Sequence, residues 1–196
     1  MTSRSLNRDL VRGALGFALV SVLAFSLWAF AGRWFPGDGA LYTAIAVVFL
    51  GGSGLVLAPL AGGAGRFYRA FVPAFLVYSV LWCVAWFGIG GKPGEWAGAV
   101  AGGLAFTGIS LWVLGGVRGW FGAALAFLVF HCAGYFAGDW VYAYAKIHAP
   151  QLAETLGLAR PQFVAVGRLA WGLLYGLGFG AGIGWVFHQG RIKGGT

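Results

Sequence analysis

Gln162-Phe-Val-Ala-Val-Gly-Arg168-Leu-Ala-Trp171-Gly-Leu-Leu-Tyr175-Gly-Leu-Gly178-Phe-Gly180-Ala-Gly182-Ile-Gly184-Trp-Val-Phe-His188 is the stretch on which the fold turns. It is longer than the ~20 residues that cross a ~30 Å hydrocarbon core. One arginine stands in it, and no acid that could neutralise the charge. A cation held in hydrocarbon costs roughly 3 to 10 kcal/mol, depending on depth, so Arg168 needs a partner, water or a purpose. The glycines of the stretch, small residues spaced four apart, suit a helix that others approach closely.

Five more runs of this kind precede it: Arg12–Arg33, Gly39–Ala61, Phe67–Gly90, Glu95–Val117 and Gly119–Trp140. Hydrophobic residues make up 60% of the 196 and charged residues 9%, with a mean hydropathy of +0.81. A soluble domain needs roughly a quarter of its residues charged, so most of this chain's outer surface is expected to face lipid. Helices are the expected elements, because every amide in lipid must be satisfied within its own segment. The runs do not alternate as barrel strands would. The net charge of +8 is not a nucleic-acid footprint, since the bases stand singly at the ends of apolar runs.

Those bases set the orientation. One set of flanks holds Arg4, Arg8, Arg12, Arg66, Arg69, Arg118, Arg191 and Lys193 against Asp9 alone. The other holds Arg33, Lys92, Lys146 and Arg160 against Asp38, Glu95, Asp139 and Glu154. Both termini are therefore expected in the cytoplasm, with the chain integral to the cell (inner) membrane. Trp34, Trp86, Trp96 and Trp140 gather at the outer ends, and Trp112, Trp120 and Trp185 at the inner ones, as an aromatic belt does. Trp28, Trp82 and Trp171 lie deeper and read as packing residues. The first run, with Ala29-Phe30-Ala31 at its end, imitates a cleavable leader; its place in a repeat is the reason to keep it as a helix.

That repeat aligns the odd runs. Phe17-Ala-Leu-Val-Ser21-Val-Leu23 matches Phe75-Leu-Val-Tyr-Ser79-Val-Leu81 and Phe127-Leu-Val-Phe-His131-Cys-Ala133. Each follows a basic flank and leads to a glycine–acid pair: Gly37-Asp38, Gly94-Glu95 and Gly138-Asp139. The fold class expected is an all-α integral membrane protein of six transmembrane helices in three hairpins. It forms a single domain over 1–196 with repeats 12–61, 67–117 and 119–188, and the glycine-rich even helices are its packed interior. Val141 to Pro161 is read as an external loop in which Gln151–Leu158 forms a separate interfacial helix between Pro150 and Pro161.

Candidate site residues follow from spacing. His131, Tyr135 and Asp139 share one stripe of the fifth helix, and Arg168, Trp171 and Tyr175 one stripe of the sixth. In an antiparallel hairpin these stripes meet as a polar track, with Asp139 the expected partner of Arg168 and His131 hydrogen-bonded deeper in the bundle. No catalytic residues are singled out, since paired carboxylates are lacking and a Ser–His couple alone does not make a hydrolase. His131, His148 and His188 fall at unmatched depths, so no haem, zinc or other cofactor is expected. Cys83 and Cys132 read as free thiols packed as small hydrophobes. Gly176-Leu-Gly178-Phe-Gly180-Ala181 imitates a dinucleotide fingerprint, yet no strand precedes it and no ribose-binding acid follows.

Two function classes remain. One is a protein that binds or transports a small hydrophobic or lipid-like ligand in an outward-facing cavity, with Arg168 admitting an anionic one. The other is a non-catalytic accessory or scaffold subunit of a larger membrane complex. The partners expected are membrane lipids, a membrane protein or a second copy of the chain, and no nucleic acid.

Overall fold

The structure, a computed structural model, describes residues 3–193, with side chains described from 5 to 192. The side chains of Arg4 and Lys193, used in the flank count, lie outside those limits. Every regular element among the described residues is helical: α1 (Ser3–Ser26), α2 (Asp38–Leu57), α3 (Ala64–Gly88), α4 (Gly91–Leu114), α5 (Trp120–Thr155) and α6 (Arg160–Lys193). A π turn, Leu27–Ala31, and a 3-10 turn, Gly32–Trp34, prolong α1; a further 3-10 turn, Ala58–Ala61, prolongs α2. Six of these helical stretches are long and apolar enough to cross a membrane, which makes this a multi-pass transmembrane helical protein.

The stretch expected as an external loop has a different secondary structure. Residues 141–155 continue α5, and only 156–159 separate it from α6. Pro150 stands inside α5 without ending it; its ring forfeits one ladder bond near the end of the helix, where little depends on it. Gly157 is the actual stop. It adopts φ +65°, and the amides of Gly157 and Leu158 reach back to the carbonyls of Glu154 and Ala153 at 3.1 and 2.8 Å. That is the left-handed cap which glycine closes without a Cβ penalty. Pro161 then falls in the first turn of α6, where its missing N–H is not needed, and the Gln162 side chain accepts from the Ala159 amide at 2.9 Å. At 36 and 34 residues, α5 and α6 are about 50 Å long. They outreach a ~30 Å core by several turns.

Glycine spacing explains why α6 is the hub. Gly176, Gly180 and Gly184, four apart, face α1: a Cβ at Gly180 would stand 2.8 Å from the Gly13 carbonyl carbon, and one at Gly184 2.9 Å from that of Asp9. Gly178 and Gly182, on the adjoining face, meet Gly134 and Phe127 of α5. Backbones can touch this closely only where side chains are absent, and in lipid such packing is the main source of helix association. In α4, Gly98, Gly102 and Gly103 receive Trp82, Tyr78 and Leu128. In α2 the glycines differ from one another. Gly51 faces open space, while Gly52 and Gly54 meet only the side chains of Val20 and Tyr68.

Rings fill the centre. Phe17, Phe75, Phe106 and Phe127, from α1, α3, α4 and α5, all lie with centroids 5.0–6.0 Å from Phe179 of α6. Trp34, Trp96, Trp112 and Trp140 are exposed, whereas Trp82 and Trp171 pack on the core. Cys132 is a partly buried thiol; Cys83 is exposed on the outside of the bundle rather than packed.

Candidate functional site

The polar stripe of α5 runs into an aromatic wall. His131 is fully buried, and its ring meets Phe127, Tyr135, Tyr175 and Phe179 with centroids 5.2–6.1 Å away. Its Nε2 stands 3.1 Å from the hydroxyl of Tyr78, contributed by α3. Its other ring nitrogen, Nδ1, is a buried atom without a hydrogen-bond partner. One turn along, Tyr135 is ringed by Trp82, Trp171 and Tyr175 at centroid distances of 5.8–6.4 Å. The Tyr135 hydroxyl and both indole N–H groups, Trp82 Nε1 and Trp171 Nε1, are likewise buried and unpartnered. Buried polar atoms are ordinarily satisfied, so this cluster of unpartnered atoms is unusual for a bundle core.

Arg168 lies at the far end of this wall. Its Nη1 donates to the Trp28 carbonyl at 2.8 Å, and its Cζ stands 4.4 Å from the centroid of the Trp28 ring. Trp28 belongs to the π turn of α1. In such a turn the regular ladder is widened, and π turns occur often at functional sites. Trp28 also packs on Trp171 and Tyr142, at 6.0 and 5.3 Å, and Tyr142 stacks on Trp171 at 5.4 Å. Arg168 Nε is buried and has no acceptor, and no carboxylate pairs with this guanidinium among the described residues.

Asp139 is the one track residue that turns elsewhere. It accepts from Lys92 Nζ at 2.5 Å, and the same ammonium donates to Glu95 at 2.8 Å, both on α4. The expected Asp139–Arg168 pair is therefore not formed. Two physical reasons combine. Gly138 is the residue of α5 that faces Trp171 of α6, so Asp139, about 100° further around a helix of 3.6 residues per turn, points toward α4. The register is also displaced. Because α5 continues to Thr155, Gly167 comes to lie against Tyr142 and Ala145; Arg168 sits about one turn beyond Asp139, toward the α5–α6 turn, rather than at its level or deeper.

The structure thus joins His131, Tyr135, Tyr175, Trp171 and Arg168 in one continuous track and detaches Asp139 from it. Sequence reasoning missed Tyr78 and Trp28, whose spacing carries no polar signal, and Glu95, whose Lys92-x-x-Glu95 spacing is a legible helical pair. It also missed a second polar cluster at the end carrying the termini. There Asp9, only 2% exposed, accepts from His188 Nδ1 at 2.7 Å and from Arg191 Nη2. A lone acid in an otherwise basic flank was the available signal.

Chemically, the track offers donors in excess of acceptors and one uncompensated cation; no group of His, Cys, Asp and Glu able to hold a metal occurs among the described residues. Comparison with family models yields no match to this chain, and comparisons with curated proteins and with solved structures yield none either.

Proposed function

We propose that this protein binds, or carries across the membrane, a small hydrophobic or lipid-like anion whose acidic oxygens lie against Arg168. One observation carries the reading: a guanidinium within the bundle has no carboxylate partner, a buried Nε–H with no acceptor, and two further unsatisfied donors along the track, Trp171 Nε1 and the Tyr135 hydroxyl. A carboxylate or phosphate against Arg168 supplies the acceptor that its Nε–H lacks, and charge-assisted bonds of this kind are about twice as strong as neutral ones. The rings of Trp28, Tyr142 and Trp171 suit the ligand's apolar part.

Native mass spectrometry of the gently extracted protein tests this. The expected result is an anionic adduct that Arg168→Gln removes and Asp139→Asn retains. No adduct on the wild type, or an adduct occupancy that Arg168→Gln leaves unchanged, refutes the reading.

The proposal includes the cell (inner) membrane as the location, both termini in the cytoplasm, and three hairpins related by repeat. Support for the repeat is that its aligned phenylalanines, Phe17, Phe75 and Phe127, converge on the single ring of Phe179. A second reading, an accessory subunit of a larger membrane complex, is favoured by the projecting ends of α5 and α6, which expose Trp140, Ile147 and Leu156. Its sign is a stoichiometric protein partner that Ile147→Glu releases.

A further inference from the structure

We infer that a second site, between the start of α1 and the end of α6, binds a phosphate-bearing anion. It is independent of Arg168 and lies at the opposite end of the bundle. Ser5, Arg8 and Asp9 occupy i, i+3 and i+4 on α1, hence one face; His188, Arg191 and Ile192 repeat that spacing on α6. The two faces line a pocket of about 270 Å³.

Asp9 organises it. Asp9 lines the pocket but is only 2% exposed, and its carboxylate accepts from both His188 and Arg191, which holds the imidazole and the guanidinium in fixed positions and neutralises the acid. That pairing neutralises one arginine and leaves the other. Arg8 makes no ion pair among the described residues. Arg191 still has N–H groups to offer: beyond the bond to Asp9, only a 3.5 Å contact from Nη1 to the Pro59 carbonyl engages it. A guanidinium carries five donors in a planar fork. Two of them flanking one pocket, with a net positive charge, match the several acceptor oxygens of a phosphate better than the two of a carboxylate.

Size narrows the ligand further. The pocket is small and open to the surface, so it takes a headgroup rather than a whole ligand, with Ile192 as an apolar wall for the carbons that follow it. Basic pockets between transmembrane helices near the membrane surface are the places where anionic headgroups dock. Free phosphate presents the same oxygens, so the two sources must be separated by experiment.

Binding of dioctanoyl phosphatidylglycerol and of inorganic phosphate to the full-length protein in maltoside detergent, by calorimetry in phosphate-free buffer, makes the test. One lipid is expected per chain. Arg8→Gln should weaken binding about tenfold or more, since it removes charge-assisted bonds. Ile192→Trp, which fills the pocket without removing a charge, should do the same, and Arg168→Gln should leave this affinity unchanged. Saturation by inorganic phosphate with no added affinity for the lipid would support the site and assign it to a soluble anion. Absence of binding by either probe overturns the inference. So does a variant Arg8→Gln or Ile192→Trp that keeps the wild-type affinity, since diffuse surface charge then explains the binding. If binding is lost with Arg168→Gln and not with Arg8→Gln, the lipid occupies the other site and this one does not exist.

Discussion

Gly178→Ala places a methyl group where α5 and α6 touch. The added Cβ would stand 2.8 Å from the Gly134 Cα and 3.0 Å from its amide nitrogen, and closer still to the Phe130 carbonyl oxygen. Carbon atoms rest at about 3.5–4.0 Å, so the two helices must part by roughly 1 Å. The obstructing atoms are backbone and cannot rotate aside. Overpacking of this kind costs about 1–3 kcal/mol, and the upper end applies where nothing can give. Alanine returns about 1 kcal/mol through its better helix propensity, leaving a net loss of about 2 kcal/mol. For a chain of this size that is about 4–8 °C in Tm. Thermal unfolding in detergent reads it, with Gly51→Ala as the control: no atom lies within 4 Å of that Cβ position, so its Tm should hold or rise. A Gly178→Ala protein as stable as wild type, or an equal loss from Gly51→Ala, would falsify the close approach of α5 and α6.

Three further outcomes are expected. In double-mutant cycles on thermal stability, Asp139→Leu should couple with Lys92→Met by more than 0.5 kcal/mol, as an estimate for contacting charges, and combine additively with Arg168→Leu; coupling to Arg168 instead would restore the pair the sequence suggested. Tyr78→Phe leaves His131 Nε2 buried without a partner and should cost about 1–3 kcal/mol, a loss that Tyr78→Phe with His131→Phe reduces. In intact cells, on a background free of Cys83 and Cys132, a cysteine at Thr155 should react with an impermeant thiol reagent and one at Gly65 should not. The reverse pattern overturns the proposed orientation.

How far the site was legible depends on what each residue's signal consists of. His131, Tyr135, Tyr175, Trp171 and Arg168 were readable because polar groups four apart in apolar runs share a helix stripe, and that is local geometry. Asp139 was readable as a member of the stripe but not as the partner of Lys92, because which neighbour a helix turns toward depends on packing between segments 47 residues apart. Trp28 was read as mere packing. Its carbonyl matters only because a π turn widens the ladder at that point and α6 brings a guanidinium to it.

The amino-acid sequence by itself determined the six apolar helices, since their length and lack of charge follow from the thickness and dielectric of the bilayer alone. It also carried the small-residue faces of α6, because a spacing of four is a property of one helix. Tertiary structure alone decided that α6 is held between α1 and α5, and that Asp9, His188 and Arg191 meet across 182 residues of chain. It also set the register that lifts Arg168 above Asp139. These depend on which backbones approach most closely, and in lipid, where apolar side chains gain nothing by hiding from their solvent, that choice rests on the fit between whole helices rather than on any local pattern.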